Sequence, residues 1–204
     1  VSFNIEPYYK YFWHLFNINR FKQFNSDPNW LLEKGDAFGL DVLGKWEFKG
    51  LYVYATYSLA WAHRNDGGQV YAPHFDRRHN VNVMVSYTFG KKKDYEVSAR
   101  WNFGSGFPFT QTQGFYENLN FGNGISTNYT TDNGGPNLGI LYDTKINGGR
   151  LPSYHRLDVS FRKVFNIKDK LKIELSASVS NAYNRQNIFY FDRVTFTRVN
   201  QLPI

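Results

Sequence analysis

The residues of this chain that could do chemistry stand around Asp76. His74 and His79 flank this carboxylate, and two imidazoles with a carboxylate form a ligand set that transition metals accept. Arg77 and Arg78 follow Asp76 directly, however, and a guanidinium group beside a carboxylate forms a charge-assisted ion pair instead. The sequence favours the ion pair, with Arg77 or Arg78 as the partner that fixes the base of a loop. We therefore predict no metal site, and His74 stays a candidate ligand-binding residue of that loop.

Two other motifs resemble parts of enzyme sites but lack the further residues that accompany them in enzymes. Gly104-Ser105-Gly106 lacks the third glycine and the following helix of a nucleotide-binding turn. Residues 155–158 read His-Arg-Leu-Asp, which is superficially similar to the His-Arg-Asp of a kinase catalytic loop, but no other kinase motif accompanies them. The chain has no cysteine, so it offers no thiol nucleophile and no disulfide. The serines and histidines show no nucleophile–base spacing either, so we predict that the protein is not an enzyme and uses no cofactor.

A different chemistry is concentrated in the long segment 107–153, which is rich in Gly, Asn, Thr and Tyr. Amide groups and aromatic rings together suit neutral polar ligands, by hydrogen bonding and stacking. Connections longer than about 15 residues are usually either functional or disordered. A ligand-binding loop and an unspecific cover both remain open at this point. The candidate ligand-binding residues, besides His74, are Tyr116, Asn118, Asn120, Asn128, Tyr129 and Tyr142.

Strands must hold these residues, because apolar and polar residues alternate along most of the chain. A period of two is typical of strands with one apolar face. In residues 80–89, for example, every odd position is apolar and every even position except Met84 is polar. The segments that alternate in this way are 1–11, 38–48, 51–61, 80–89, 95–103, 157–162 and 171–179, with a weaker eighth at 194–199.

The connections between these strands are alternately short and long. The short ones are Lys49-Gly50, 90–94 and 166–170. The long ones are about 17–34, 64–77, 107–153 and 185–192. An antiparallel meander with short turns at one end and long loops at the other is typical of outer-membrane β-barrels, whose short turns face the periplasm. We therefore predict an all-β, antiparallel transmembrane barrel meander.

Composition agrees with a membrane barrel. Aromatic residues make up 19% of the chain, and amphipathic rings are favoured at membrane interfaces. They form two groups, one beside the short turns (Phe48, Phe89, Tyr95 and Phe165) and one towards the long loops (Phe38, Trp61, Trp101 and Phe103). The net charge of +7 is spread over strands and turns, so we predict solvated turns and a polar lumen and no nucleic-acid partner.

The polar face of the predicted strands is heavily charged. Charges this frequent would be costly inside a small dry barrel, whereas a wide, wet or plugged lumen tolerates them. We therefore predict an arc of a large barrel. Its lumen-facing or plug-facing residues are Asp41, Lys45, Glu96, Arg100, Asp158, Arg162 and Glu174. The chain already follows a strand pattern at its first residues, so we expect a processed chain or a fragment, and favour a fragment.

Four segments resemble those of TonB-dependent receptors, especially of the Bacteroidota type. The run DRRHNV at 76–81 is similar to the start of one of their strands, and GRLPSYHRLDVS at 149–160 to the start of a strand nearer the C-terminus. The run NAYNRQN at 181–187 resembles the end of their penultimate strand, and QLPI at 201–204 the lead-in to the last one. The order and spacing of these pieces match along most of the chain.

The resemblance implies a plugged barrel of about 22 strands, of which residues 1–204 are the C-terminal portion with seven or eight strands. It implies TonB-dependent import of a nutrient ligand, with the plug domain, the TonB–ExbB–ExbD complex, and outer-membrane lipid and lipopolysaccharide as partners. A surface lipoprotein partner is typical of relatives with a Gly-Ser-Phe-Leu-Arg-Leu run, which this sequence lacks. The alternatives are a structural or adhesive outer-membrane barrel subunit and a soluble sugar-binding β-sandwich.

Overall fold

A computed structural model describes residues 1–19, 22, 25–117, 138–167, 171–192 and 197–200. This part of the chain forms β-strands joined by turns and loops, and it contains no helix that could cross a bilayer. The strands are β1 Ser2–Ile18, β2 Trp30–Phe48, β3 Leu51–Asn65, β4 Val70–Tyr71, β5 His79–Phe89, β6 Tyr95–Gly104, β7 Pro108–Phe109, β8 Thr112–Glu117, β9 Leu138–Tyr142, β10 Gly149–Arg150, β11 Tyr154–Ile167, β12 Leu171–Val179, β13 Ile188–Phe191 and β14 Arg198–Asn200.

One large sheet contains all seven of the clearly predicted strands. Its order is β1-β2-β3-β5-β6-β11-β12, every neighbouring pair is antiparallel, and the short β4 pairs with the end of β3. The predicted antiparallel meander is therefore confirmed. Within the described residues β1 and β12 are the two edges of this sheet and do not pair with each other, so the sheet is open.

The register of the sheet aligns the apolar residues of neighbouring strands on one face. Val83, for example, lies opposite Ala55 on one side and Trp101 on the other, and Trp101 lies opposite Leu157. Because directly opposite residues share a face, the alternation in each strand produces one continuous apolar face. The opposite face carries mostly polar and charged side chains.

No second layer covers the apolar face in the part of the chain that the structure describes. Phe3 is 66% exposed, Leu175 is 58% exposed and Val179 is 61% exposed, although all three belong to this face. Tyr71 is the one buried residue among the described large aliphatic and aromatic side chains, and it lies outside the seven main strands. The sheet therefore has no hydrophobic core of its own.

Two of the predicted short turns are present as expected. Lys49 and Gly50 have φ angles of 47° and 87°, and Phe48 lies opposite Leu51. Positive φ at both central residues is the geometry of a type I′ hairpin turn, which matches the twist of the flanking strands. The turn at 90–94 likewise follows the pair Phe89 and Tyr95.

The third short turn is shorter than predicted. Asn166 lies opposite Lys172 and Ile167 opposite Leu171, so residues 166 and 167 belong to β11 and only 168–170, which lie outside the described residues, remain between the strands. Asn166 continues the polar face of β11 opposite Lys172, and a polar residue at this position fits a strand as well as a turn.

The first long connection is also shorter than the predicted 17–34. β1 continues to Ile18, which lies opposite Trp30 in β2. The register shifts between Phe12 and Leu15, and His14 has a φ of 55°. A bulge of this kind changes which face the following residues occupy, so the period of two breaks at this point and conceals the rest of the strand.

Short strands lie within the described parts of the connections predicted at 107–153 and 185–192. β7 pairs with β10 and β8 with β9, and β13 pairs with β14. The predicted eighth strand at 194–199 corresponds in part to β14, while residues 194–196 lie outside the described residues. These ribbons are too short, or shifted in register, to show a period of two in the sequence.

Candidate functional site

The charged residues predicted to share a face of the sheet do so. Asp41 lies opposite Ser58 and Arg100 opposite Asp158, and Glu96 lies opposite Arg162. Lys45 and Glu174 occupy the same face of β2 and β12 by their registers with β3 and β11. The face that carries these residues is called the polar face below.

Many charges on the polar face neutralise one another. Arg162 forms ion pairs with Glu96 and with Glu174, the latter at 3.1 Å, and so connects β6, β11 and β12. The Arg156 Nη2 atom lies 2.9 Å from Asp158 Oδ2. Pairing of this kind lowers the cost of gathering charges on one surface.

A cavity with a volume of about 700 Å³ lies on the polar face of β1, β2 and β3. Tyr8, Phe12 and Lys10 contribute to its wall, and Pro73 and Phe75 from the connection between β3 and β5 contribute as well. This volume falls within the usual range of small-molecule pockets. The sequence did not predict this cavity, because residues far apart in the chain form it.

Two connections at the long-loop end of the sheet dock against each other. We call them together the loop platform, which comprises residues 66–78 between β3 and β5, and residues 105–117 and 138–153 between β6 and β11. Asn147 Nδ2 donates to the carbonyl oxygen of Ala72 at 2.8 Å, and the Asn147 backbone N–H donates to Thr110 Oγ1 at 3.0 Å. Gln69 Nε2 donates to the carbonyl oxygen of Thr144 at 3.3 Å. The two connections therefore form one unit.

Asp76 is the centre of this platform and is only 2% exposed. Its Oδ1 accepts from the backbone N–H of Ala62 at 3.0 Å, and its Oδ2 accepts from Arg150 at 2.5 Å and from Arg78 at 3.4 Å. The predicted ion pair is confirmed for Arg78. Arg150, 74 residues away in sequence, is a partner that no sequence signal could have shown.

The two histidines near Asp76 take part in other contacts. Tyr57 Oη and His79 Nδ1 lie 2.9 Å apart, and the His74 ring stacks edge-on against Phe75 at 5.3 Å. The described residues contain no group of three or more His, Cys, Asp or Glu side chains placed to hold a metal ion. Asp76 is thus engaged with arginines and a backbone amide, and His74 lies at the surface of the platform.

A second buried carboxylate attaches β4 to the sheet. Glu33 is 3% exposed, and the Tyr71 hydroxyl lies 2.8 Å from one of its oxygens and 2.9 Å from the other. Asn17 Nδ2 donates to Glu33 at 2.8 Å, and Arg64 Nη1 donates to it at 3.2 Å. Burial, followed by the hydrogen bond to Glu33, raises the pKa of Tyr71 to about 12.

The raised pKa of Tyr71 gives a testable alkaline transition. The folded state favours the protonated phenol, so its contribution to stability is complete below the ordinary tyrosine pKa of about 10 and is lost as the pH rises through about 12. We expect the difference in absorbance near 295 nm between the native protein and Tyr71→Phe to show one phenol that ionises near pH 12. A difference curve centred near pH 10 would contradict the burial of Tyr71 and its hydrogen bond to Glu33.

The predicted ligand-binding residues fall in two groups. Tyr116 in β8 lies opposite Gly139 in β9 and packs over it, and Tyr142 lies opposite Thr112 in the same ribbon. Both tyrosines are exposed, at 49% and 44%. Asn118, Asn120, Asn128 and Tyr129 lie outside the described residues.

An aromatic groove next to this ribbon was not predicted from the sequence. It has a volume of about 350 Å³ and contains Phe109, Tyr190 and Phe191 together with Gln111. The rings of Phe109 and Phe191 lie 5.7 Å apart. The groove joins the loop platform to β13, and its aromatic and amide groups are of the type expected for the neutral ligands considered above.

Comparison of this chain with protein-family models, with curated proteins and with solved structures found no match.

Proposed function

We propose that this chain is part of the wall of an outer-membrane β-barrel that imports a nutrient ligand. The observation that carries the membrane part of the proposal is the continuous apolar face, which spans seven strands and is exposed to solvent. A soluble β-sandwich would cover such a face with a second sheet. A bilayer accommodates it directly, because lipid chains take the place of a protein core.

The dimensions of the sheet agree with a bilayer. Ten residue steps separate Phe89, at a short turn, from His79, at the start of β5. At about 3.3 Å per residue and a tilt of about 40°, they span about 25 Å, the height of the apolar band of a membrane barrel.

Aromatic rings mark both borders of this band. Phe89 stacks on Tyr95 at 5.3 Å beside the short turn, and Phe38 stacks on Trp61 at 5.2 Å towards the long loops. Lys163, a cation on the apolar face, has its ammonium group 3.3 Å from the centre of the Tyr95 ring and pairs with Asp94 in the turn. A lysine in this position extends its charge towards the interface, as expected at the edge of a bilayer.

The two open edges of the sheet support a barrel larger than seven strands. Strand edges with unpaired backbone groups cannot face lipid, so β1 and β12 require further strands as neighbours. The charged polar face is suited to a wide lumen that is wet or holds a plug domain. In this proposal the short turns face the periplasm and the loop platform faces the outside.

Active import is supported by the platform and by the resemblance to TonB-dependent receptors. Two loops held together above a charged inner wall, with exposed tyrosines and an aromatic groove, can bind a ligand at the mouth of the barrel. Energy would then reach the barrel through a plug domain and the TonB–ExbB–ExbD complex. A structural or adhesive barrel would need neither a ligand nor TonB.

Growth on single nutrients separates these functions. We expect at least one carbon, nitrogen or iron source whose use is lost both in a strain without this protein and in a strain without TonB. If growth on that source requires this protein but not TonB, active import is excluded. If no source requires the protein although it is present in the outer membrane, the structural alternative is favoured.

Removal of the exposed ribbon tests the role of the platform. We expect deletion of residues 113–141 to abolish growth on the identified source, because it removes Tyr116 and the segment rich in amide groups while keeping Thr110, Asn147 and Arg150. The barrel should still fold, as judged by a change in gel migration on heating. Normal growth of this variant would show that the ribbon does not bind the ligand.

A further inference from the structure

The Arg77 side chain lies on the polar face, at the end nearest the loop platform. Its guanidinium group lies directly over Gly104, where a Cβ atom would come within 2.5 Å of the Arg77 Cζ and Nη1 atoms. The ring of Phe107 lies 4.2 Å from Cζ and that of Tyr154 lies 5.9 Å from it. Glycine at position 104 therefore makes room for the guanidinium group, and two aromatic rings fix it.

The charge of Arg77 has no counterion among the described residues. The neighbouring carboxylate of Asp76 accepts from Arg78, Arg150 and the backbone of Ala62, and none of the hydrogen bonds of the described residues involves the Arg77 side chain. The Arg77 Nε atom is buried without a partner, and burial lowers the pKa of the group. Asp76 is thus already paired with two arginines, and the charge of Arg77 is not balanced by a carboxylate of the described residues.

An unpaired, partly buried cation is costly, and contact with aromatic rings offsets only part of that cost. A guanidinium group that is held in place offers parallel N–H donors that match the two oxygens of a carboxylate. We propose that Arg77 is a binding site for the carboxylate group of a small ligand, which enters at the polar face between Phe107 and Tyr154. The role of Arg77 in import rests on the proposed function. With that function, the site limits the imported substrate to compounds that carry a carboxylate group.

Citrate binding to the purified full-length protein tests the site without any transport. By titration calorimetry in detergent at constant ionic strength, we expect Arg77→Gln to weaken citrate binding at least tenfold. Arg77→Lys keeps the charge but loses the paired donors, so it should weaken binding several-fold. Gly104→Ala displaces the guanidinium group while Arg77 remains, and it should also weaken binding. The uncharged triethyl citrate should not bind.

Lys172→Gln is the matched control, because Lys172 lies on the same polar face and its loss changes the net charge equally. It should bind citrate as the native protein does. Absence of citrate binding to the native protein, an unchanged affinity in Arg77→Gln, or an equal loss in Lys172→Gln would each overturn the proposal. If Arg77→Gln fails to fold, Arg77→Lys and Gly104→Ala are measured instead, and an unchanged affinity for citrate in both would overturn the proposal. Failure here leaves the membrane assignment intact, since that depends on the apolar face and is tested separately.

Discussion

Val83→Arg is expected to prevent the protein from assembling in a bilayer. Val83 lies in the middle of β5 on the apolar face, between Ala55 and Trp101. An arginine on the lipid face near the bilayer centre costs about 2–4 kcal/mol in membrane barrels. We expect little folded protein in lipid vesicles and loss of the heat-dependent change in gel migration.

Ser86→Arg is the control for this variant. Ser86 lies in the same strand, but on the polar face opposite Tyr52 and Ser98, where an added charge can reach water. We expect it to fold almost as well as the native protein. Normal assembly of Val83→Arg would refute the membrane assignment, and equal damage from both variants would show that the two faces are wrongly assigned.

Asp76→Asn should detach the two halves of the loop platform. The change keeps the size of the side chain and removes the charge that Arg78 and Arg150 share. The Asp76 side chain is 1% exposed, and Arg78 and Arg150 have no other anionic partner among the described residues. The Arg78 and Arg150 side chains are 23% and 37% exposed, so we expect the cost to lie below the value of about 3–5 kcal/mol for a fully buried pair. We expect trypsin to cleave after Lys145 much faster than in the native protein.

Asp66→Asn is the control, because it makes the same chemical change in the same loop. Asp66 accepts from the backbone N–H groups of Gly68 and Gln69 in the tip of the same loop, and it has no arginine partner among the described residues. Asp66→Asn keeps an acceptor there and should leave the cleavage rate nearly unchanged. Equal cleavage in the native protein and Asp76→Asn would mean that the hydrogen bonds of Asn147 with Ala72 and of Gln69 with Thr144 hold the platform without Asp76.

The regular part of the fold could be predicted from the sequence because it depends on local patterns. A period of two indicates which residues share a face, and Lys49-Gly50 indicates a tight turn. The pattern failed where the geometry changes within a strand, as at the bulge near His14 that conceals the second half of β1. It also failed for β8 and β9, whose register shift removes the alternation.

The candidate site was much less predictable, because it depends on contacts between distant residues. The acidic centre of the platform could be predicted from Asp76-Arg77-Arg78, but the sequence could not tell which arginine would pair with Asp76. The answer depends on Arg150, which reaches Asp76 only after β10 has been placed beside β7. Once Arg150 and Arg78 share Asp76, Arg77 is left without a counterion.

The ion pairs of Arg162 have a consequence for the alignment of β12 on β11. Among the described residues β12 has β11 as its one neighbour in the main sheet, and all residues of β12 are exposed. Sliding β12 along β11 by two residues would keep every side chain on its own face, so the hydrophobic pattern does not oppose that error. Moving β12 so that Ser178 lies opposite Arg162 would carry Glu174 away from Arg162, whereas moving it the other way would place Glu174 directly opposite Arg162. The ion pair therefore opposes the slip in one direction but not in the other.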